Sequence, residues 1–529
     1  MRTVIIGGGS AGISAATHLR RNDEKAEIIV IERSGEFALS ACGLPYLLSG
    51  KIKNAEDLTG ASAEQMKRIF NIDIRLNTEV LTIEPELKQL ILTGGKTLTY
   101  DKLVVAAGGL QLRPDIAGVL SDNIFTLNSL YSAQKISDYF YGLEAKYVLV
   151  LGGGYIGLRA AEALLQNGAK VTVIDKAAHI LSEFDHDFAT LAKQKLETKG
   201  LKILTGTTVK EFLPDTAVLS NGSRLRYDVA VIATGNKSEV KLPIMADIDI
   251  GETGGIVVNE QMMTSVADIF ACGDNIEIKD LISNLPARPD SAPPVVRSAK
   301  IAADNICGIP SRMNTVLRNQ IVKLFDYVLG ICGCNEEELK RSGIVYHRLY
   351  LTMDNCENYL NSAQKMFMKL LFKTDGLILG FQIMGKAGVD TRLNAVAALM
   401  MQNGTVKQME NMPVAYFPEF AKATDAVNVL GSMAYDIITK RLNTADIYDL
   451  QENDVLLDVC GQNKFKQFAK GENTVIPLPA LRDNLKHLPK NKRIVIACIN
   501  GYAAYLAYCI LRGNGFDNIV LLNSPNIWQ

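Results

Sequence analysis

Short, β-branched apolar runs alternate along the chain with Ala-rich stretches whose apolar residues recur every three to four positions. The clearest case is TVIIGGGSAGISAATHLRR, residues 3–21, followed by AEIIVIER, residues 26–33. The same plan returns in YVLVLGGGYIGLRAAEALLQNGAKVTVIDK, residues 147–176. Continuous apolar runs predict strands buried on both faces, and the Ala-rich stretch between them predicts a helix. Each copy therefore reads as a βαβ unit with a parallel strand pair. DKLVVAAGG (101–109) and DVAVIATG (228–235) are matching apolar strands that end in small residues.

From about residue 320 the texture changes. NQIVKLFDYVLGICG, KMFMKLLFK and LILGFQIMG predict antiparallel strands, and TRLNAVAALMMQ predicts a helix after them. Residues 436–450 read as a helix and linker. From 451 to 529 short strands (DVLLDVC, NTVIPL, KRIVIAC) and helices repeat as a small αβ domain. Length agrees, since 529 residues at about 150 per domain makes three to four domains.

Composition removes several classes of function. Lys+Arg is 56 against Asp+Glu 57, a net charge of −1, so no nucleic acid and no anionic membrane surface is expected as a partner. No apolar stretch reaches the roughly 18 residues of a spanning helix. The apolar N-terminus resembles a signal peptide, but three consecutive glycines break it. Nine cysteines without regular spacing point to a reducing, cytoplasmic setting and to mostly buried free thiols. The five His lie far apart and no CxxC occurs, so no metal site is expected.

The chemistry concentrates in the two glycine turns. Gly7, Gly9 and Gly12 form G-x-G-x-x-G, with Glu32 at the end of the next strand; Gly152, Gly154 and Gly157 repeat it, with Asp175 in the corresponding place. Glycines let the backbone approach a pyrophosphate at a helix N-terminus, and the carboxylate accepts hydrogen bonds from a ribose diol. Two such sites imply electron transfer between two dinucleotides. Asp274 closes the strand TSVADIFACGD, where it serves either a ribityl chain or a helix N-cap. Cys42, in ALSACGLPYLLSG, stands ten residues past Glu32 at a helix entry, a setting in which amide dipoles activate a thiol. It is either that nucleophile or an inert core cysteine. Cys498 likewise lies between a strand and a helix, as either a reactive thiol or a packed one.

Together GGGSAGISAATHLRR, CGLPY, GGGYIGL and TSVADIFACGD resemble the flavin-dependent pyridine nucleotide-disulfide oxidoreductases. Within them the chain is similar to the coenzyme A-disulfide reductases fused to a C-terminal rhodanese-like domain, through YFPEFAKATDAVN, VLLDV and KRIVIAC. The resemblance implies an α/β fold of glutathione reductase type. It assigns residues 1–122 and 246–319 to FAD, 123–245 to NAD(P)H, 320–435 to an α+β dimerisation domain and 451–529 to a rhodanese-like domain. It further implies a cytoplasmic homodimer that passes hydride from NADH through FAD to a mixed disulfide of Cys42 with a small-molecule disulfide or sulfane-sulfur substrate. Coenzyme A would be a substrate or cofactor, Cys498 a sulfane-sulfur carrier, and NADPH the second choice of donor. Tyr416 and Tyr359 match tyrosines that reach the partner's site or pack the interface, and His18 and Arg21 fall where coenzyme A phosphates bind.

The departures from that family are specific. Arg159 replaces a glutamate near the nicotinamide, Ala41 an asparagine before the active cysteine, and Thr424 a coenzyme A-contacting lysine. In the last domain Cys460, Ala503 and Cys509 stand where arginines are usual. A flavin NADH oxidase or peroxidase cycling Cys42 through a sulfenate, and a low-turnover flavin redox sensor, are the alternative functions.

Overall fold

Both βαβ units form in the computed structural model, which describes residues 1–142, 146–461 and 463–524. Arg2–Ile6 pairs in parallel with Glu27–Ile31 on one side and Lys102–Val105 on the other. Ile72–Arg75 and Ile269–Ala271 extend this to a five-stranded parallel sheet. A second such sheet centres on Tyr147–Leu151, between Lys170–Ile174 and Val229–Ile232, with Lys202–Leu204 and Ile124–Thr126 at its edges. Val4, Ile5, Leu149 and Val150 are completely buried, as strands covered on both faces require.

Both sheets belong to one compact unit, Met1–Ser182 with Lys193–Val316. All strands of the second sheet fall between residues 123 and 245, the range expected for one nucleotide domain. That range is not continuous in space, however. Glu183–Ala192 packs with the second unit, which resumes at Leu317.

The second unit begins with a five-stranded antiparallel sheet in the order Asn319–Leu324, Tyr327–Gly333, Ile378–Gly385, Lys365–Phe372 and His347–Asp354. The last of these, HRLYLTMD, is a strand the apolar pattern does not mark, because it opens on two polar residues. Lys369, in the strand beside it, has no exposed side-chain surface and is held by Asp185 and Asp187 at 2.8 Å and Glu336 at 2.5 Å. A buried ammonium is tolerable only when paired. Two of its three carboxylates come from Glu183–Ala192, which ties that segment to the second unit.

Beyond the helix Ala426–Ile438 lies a five-stranded parallel sheet in the order Thr444–Ala445, Ile519–Leu522, Ile494–Ala497, Val455–Asp458 and Glu472–Val475. Its first strand falls inside the expected linker 436–450, so that segment is partly sheet rather than connector. Thr444 pairs with Leu521 and Ala445 with Leu522.

Candidate functional site

The two glycine turns are built alike, atom for atom. Gly7 has φ +105° and Gly152 φ +107°, and a Cβ on either would lie about 2 Å from a carbonyl of the adjacent strand turn, Ala106 or Ala233. A Cβ on Gly12 would lie 1.9 Å from the Gly7 carbonyl oxygen, and one on Gly157 equally close to that of Gly152. Gly9 and Gly154, by contrast, face open space. They cap the helices Ser10–Asn22 and Tyr155–Gln166, and neither helix has a side-chain cap or an acidic first turn. A positive helix end without a side-chain cap and room in front of a glycine form a cradle that fits a pyrophosphate.

The acids at the strand ends are already oriented. One Glu32 oxygen accepts from the Gly8 amide at 2.8 Å and the other from the Ser34 amide and hydroxyl. Asp175 accepts from the Gly153 amide at 2.6 Å and from the Ala177 amide at 2.8 Å. Each carboxylate thus braces its glycine turn, a duty the motif spacing alone does not show, and carboxylate oxygens have further lone pairs for a diol.

Asp274 follows the strand Ile269–Ala271, half-buried. Burial pushes its carboxyl above the usual range, and the charge of Arg288 only partly offsets this. It heads no helix here, since the chain continues into the strand Ile276–Asp280; the N-cap alternative lapses. The preceding amide, Gly273, donates to Ser298 Oγ at 3.0 Å. Cys272 is fully buried and pushed up to about 12 by that burial, an inert thiol.

Cys42 is exposed. It sits in the 3₁₀ turn Ala41–Gly43, which runs directly into the helix Leu44–Leu48. Gly43 packs tightly against Leu58, whose Cδ2 would lie 2.1 Å from a Cβ there. Of the two readings open for Cys42, the inert core cysteine does not fit this placement.

His18 and Arg21 stand together on the helix Ser10–Asn22. His18 Nε2 is 2.8 Å from Asp304 Oδ1, and Arg21 Nη2 is 3.1 Å from His18 Nδ1. Burial alone would raise the Asp304 carboxyl, but hydrogen bonds from Lys300, Asn22 and His18 hold it down at about 2. This cluster ties the helix to Ala292–Ile306, so His18 has a packing duty while Arg21 remains exposed.

In the second unit, Tyr359 and Tyr416 are brought together and are 70% and 53% exposed. Tyr416 is held above its ordinary value by its surroundings, Tyr359 and Glu357. Phe417 and Phe420 continue the patch, with ring centres 6.0 Å apart. Cys498 ends the strand Ile494–Ala497 and is 5% exposed. Asn500 caps the helix Gly501–Gly513 that follows. The loop amide of Ile499 does not point at Cys498; it donates to Cys460 Sγ at 3.2 Å. Motif reading treats Cys460 only as a lost arginine, although VLLDVC and KRIVIAC each carry a cysteine just past a strand end.

Comparison with known proteins matches this architecture. The family model described as pyridine nucleotide-disulphide oxidoreductase covers residues 1–299, and that family's dimerisation domain covers 320–427. The chain is 31% identical to a Methanocaldococcus jannaschii NADH oxidase over 428 residues, 79% of this chain and 95% of the relative. It is also 31% identical to a CoA-dependent NAD(P)H sulfur oxidoreductase of Pyrococcus abyssi over 432 residues, 81% of this chain and 96% of the relative. The solved NAD-dependent persulfide reductase from A. fulgidus superposes with a TM-score of 0.93 at 30% identity, covering 100% of both chains. Two glycine cradles, an exposed cysteine after the first and a matched dimerisation domain place the chain in one group: it belongs to the pyridine nucleotide-disulphide oxidoreductase family.

Proposed function

We propose that this chain is an FAD-dependent NAD(P)H oxidoreductase of small disulfides, persulfides or polysulfides, of the coenzyme A-disulfide or coenzyme A-persulfide reductase type. The observation that carries this reading is Cys42, an exposed thiol just past the first of two dinucleotide cradles in one unit. The names of the Pyrococcus abyssi and A. fulgidus relatives support the substrate class.

Gly7, Gly9, Gly12, Glu32 and Asp274 would hold FAD; Gly152, Gly154, Gly157 and Asp175 would hold the donor. Asp175 favours the free 2′-hydroxyl of NADH over the 2′-phosphate of NADPH. Bound FAD supplies the two-electron relay from nicotinamide to sulfur. Cys42 attacks a disulfide to form a mixed disulfide and release the other half as a thiol, or attacks a sulfane sulfur to form a Cys42 persulfide and release RS⁻, and that S–S bond is then reduced. Arg21 is placed to meet an anionic substrate group such as a coenzyme A phosphate. The aromatic patch of Tyr359, Tyr416, Phe417 and Phe420 suits a homodimer interface, with either tyrosine as a hydrogen-bond donor across it. The parallel sheet of residues 444–522 supports a rhodanese-like domain, and the free thiols suit a cytoplasmic setting.

Anaerobic stopped-flow tests the reading. NADH should bleach the flavin, and coenzyme A disulfide, coenzyme A persulfide or polysulfide should restore it faster than oxygen does. Absence of flavin bleaching sinks the catalytic reading. Faster reoxidation by oxygen replaces it with the oxidase reading, which the Methanocaldococcus jannaschii relative favours.

A further inference from the structure

Two thiols meet at the carboxyl end of the C-terminal parallel sheet. Asp458 is level with Ala497 in the paired strands Val455–Asp458 and Ile494–Ala497, so Cys460 and Cys498 leave neighbouring strands at the same end. Cys460 Sγ turns back toward the strand Ile494–Ala497 and lies 3.2 Å from the amide nitrogen of Ile499, the residue next to Cys498. The Val459 amide donates to the Ala497 carbonyl at 3.1 Å, keeping the chains joined up to the cysteines. Asp458 accepts from the Cys460 amide at 2.7 Å and the Lys464 amide at 3.0 Å.

The two sulfurs are not equivalent. Cys498 is 5% exposed, whereas Cys460 is half-buried and receives the Ile499 amide at 3.2 Å. A hydrogen bond from the Cys498 thiol, helped by that amide, holds Cys460 below its ordinary value. The same bond, together with burial, pushes Cys498 above its ordinary value. A partly exposed thiol that accepts a backbone amide beside a buried one is the division of labour of a dithiol that attacks with one sulfur and resolves with the other.

We propose that Cys460 and Cys498 form a reversible dithiol–disulfide pair that accepts sulfane sulfur, with Cys460 as the entering nucleophile and Cys498 as the resolving thiol. The Cys460 thiolate attacks the sulfane sulfur of a persulfide R–S–SH, forming Cys460–S–SH and releasing RS⁻. Cys498 gives up its proton and attacks Cys460 Sγ, forming the Cys460–Cys498 bond and expelling HS⁻. Sulfane sulfur is thereby reduced to hydrosulfide, and two thiols are oxidised to one disulfide. Two equivalents of a low-molecular-weight thiol reopen the pair and leave as a small disulfide. That disulfide belongs to the substrate class proposed above for the flavin half, and only this return step rests on that reading.

The test uses the full-length flavoprotein, reduced, desalted and mixed anaerobically with inorganic polysulfide in the absence of NADH. After alkylation of free thiols, peptide mass spectrometry should find Cys460 linked to Cys498, with one hydrosulfide released per link. Cys498→Ser should stop at a persulfide on Cys460 and release hydrosulfide at least tenfold more slowly. Wild-type protein carrying a persulfide on Cys498 with no link to Cys460 overturns the proposal. So does undiminished hydrosulfide release by Cys460→Ser. Because no NADH is present, a failed link strikes this proposal alone, and failed NADH-dependent turnover with an intact link strikes only the function proposed for the flavin half.

Discussion

The guanidinium carbon of Arg159 lies 4.7 Å from the centre of the Tyr46 ring. Arg159 also pairs with Glu162, whose side chain is 4% exposed. Residue 46 is on the helix that follows Cys42, and residue 159 on the helix of the second glycine turn. Asn167 strengthens the same junction, donating to the Leu48 carbonyl at 2.9 Å. The arginine that breaks the family pattern therefore joins the two halves of the candidate site.

Arg159→Ala would remove the ring partner and leave the buried Glu162 with the Gln166 amide but without its cation. The expected loss is about 2–3 kcal/mol of stability, the cost of an uncompensated buried charge. Urea unfolding followed by fluorescence measures it, and Glu162→Gln in the same chain should restore most of the loss. An unchanged midpoint in Arg159→Ala would show the contact to be idle.

Cys42→Ser should leave flavin reduction by NADH within about twofold while lowering disulfide or persulfide turnover by on the order of a thousandfold, since a hydroxyl is a poor nucleophile at sulfur. Half-reactions measured separately by stopped-flow make the distinction. Retained sulfur turnover would move the chemistry to another thiol.

The two glycine cradles can be separated by mutation. Gly157→Ala places a Cβ against the Gly152 carbonyl, and relieving such overlap typically costs about 1–3 kcal/mol. NADH-driven flavin reduction should fall by roughly tenfold or more, with flavin retained through gel filtration. Gly12→Ala should instead release flavin. If both variants lose flavin equally, the two turns do not hold separate nucleotides.

Donor preference should follow Asp175. Asp175→Asn keeps an oxygen for the Gly153 amide but removes the charge that faces a 2′-phosphate. The NADPH-to-NADH ratio of kcat/KM should rise about tenfold, as expected for one charge contact worth about 1.4 kcal/mol. No change in that ratio would remove Asp175 from the ribose site.

Acid should weaken the second unit through the Lys369 cage. Burial raises the Glu336 carboxyl, but the charge and hydrogen bond of Lys369, with Tyr346, outweigh it and hold Glu336 at about 2. A folded-state value below the unfolded one means stability that is present above about pH 4.5 and lost as pH falls toward 2. Asp304 adds the same trend in the first unit, also at about 2. Asp185, raised mainly by burial, works in the opposite direction. Lys369→Met should cost about 3–5 kcal/mol near neutral pH, because three carboxylates lose their cation. Thermal melts across pH 3–7 of wild type and Lys369→Met check both statements; identical acid profiles would dismiss the cage.

The linear chain by itself determined what depends on local period and spacing. Both βαβ units, the glycines at Gly7, Gly12, Gly152 and Gly157, and the acids Glu32 and Asp175 were legible because a pyrophosphate turn is a short-range device. Its strand, glycines and helix occupy consecutive residues, and the acid comes one strand later. Cys42 was legible as a position but not as an exposed one. Tertiary structure alone decided the rest, since it depends on residues distant in sequence coming together. Lys369 reads as a stray cation in an apolar strand until Asp185, Asp187 and Glu336 surround it. The strand Thr444–Ala445 reads as linker until Ile519–Leu522 pairs with it. Arg159 reads as a lost glutamate until Tyr46 lies beneath it. Cys460 reads as a lost arginine until parallel pairing brings it to Cys498 and the Ile499 amide turns to its sulfur.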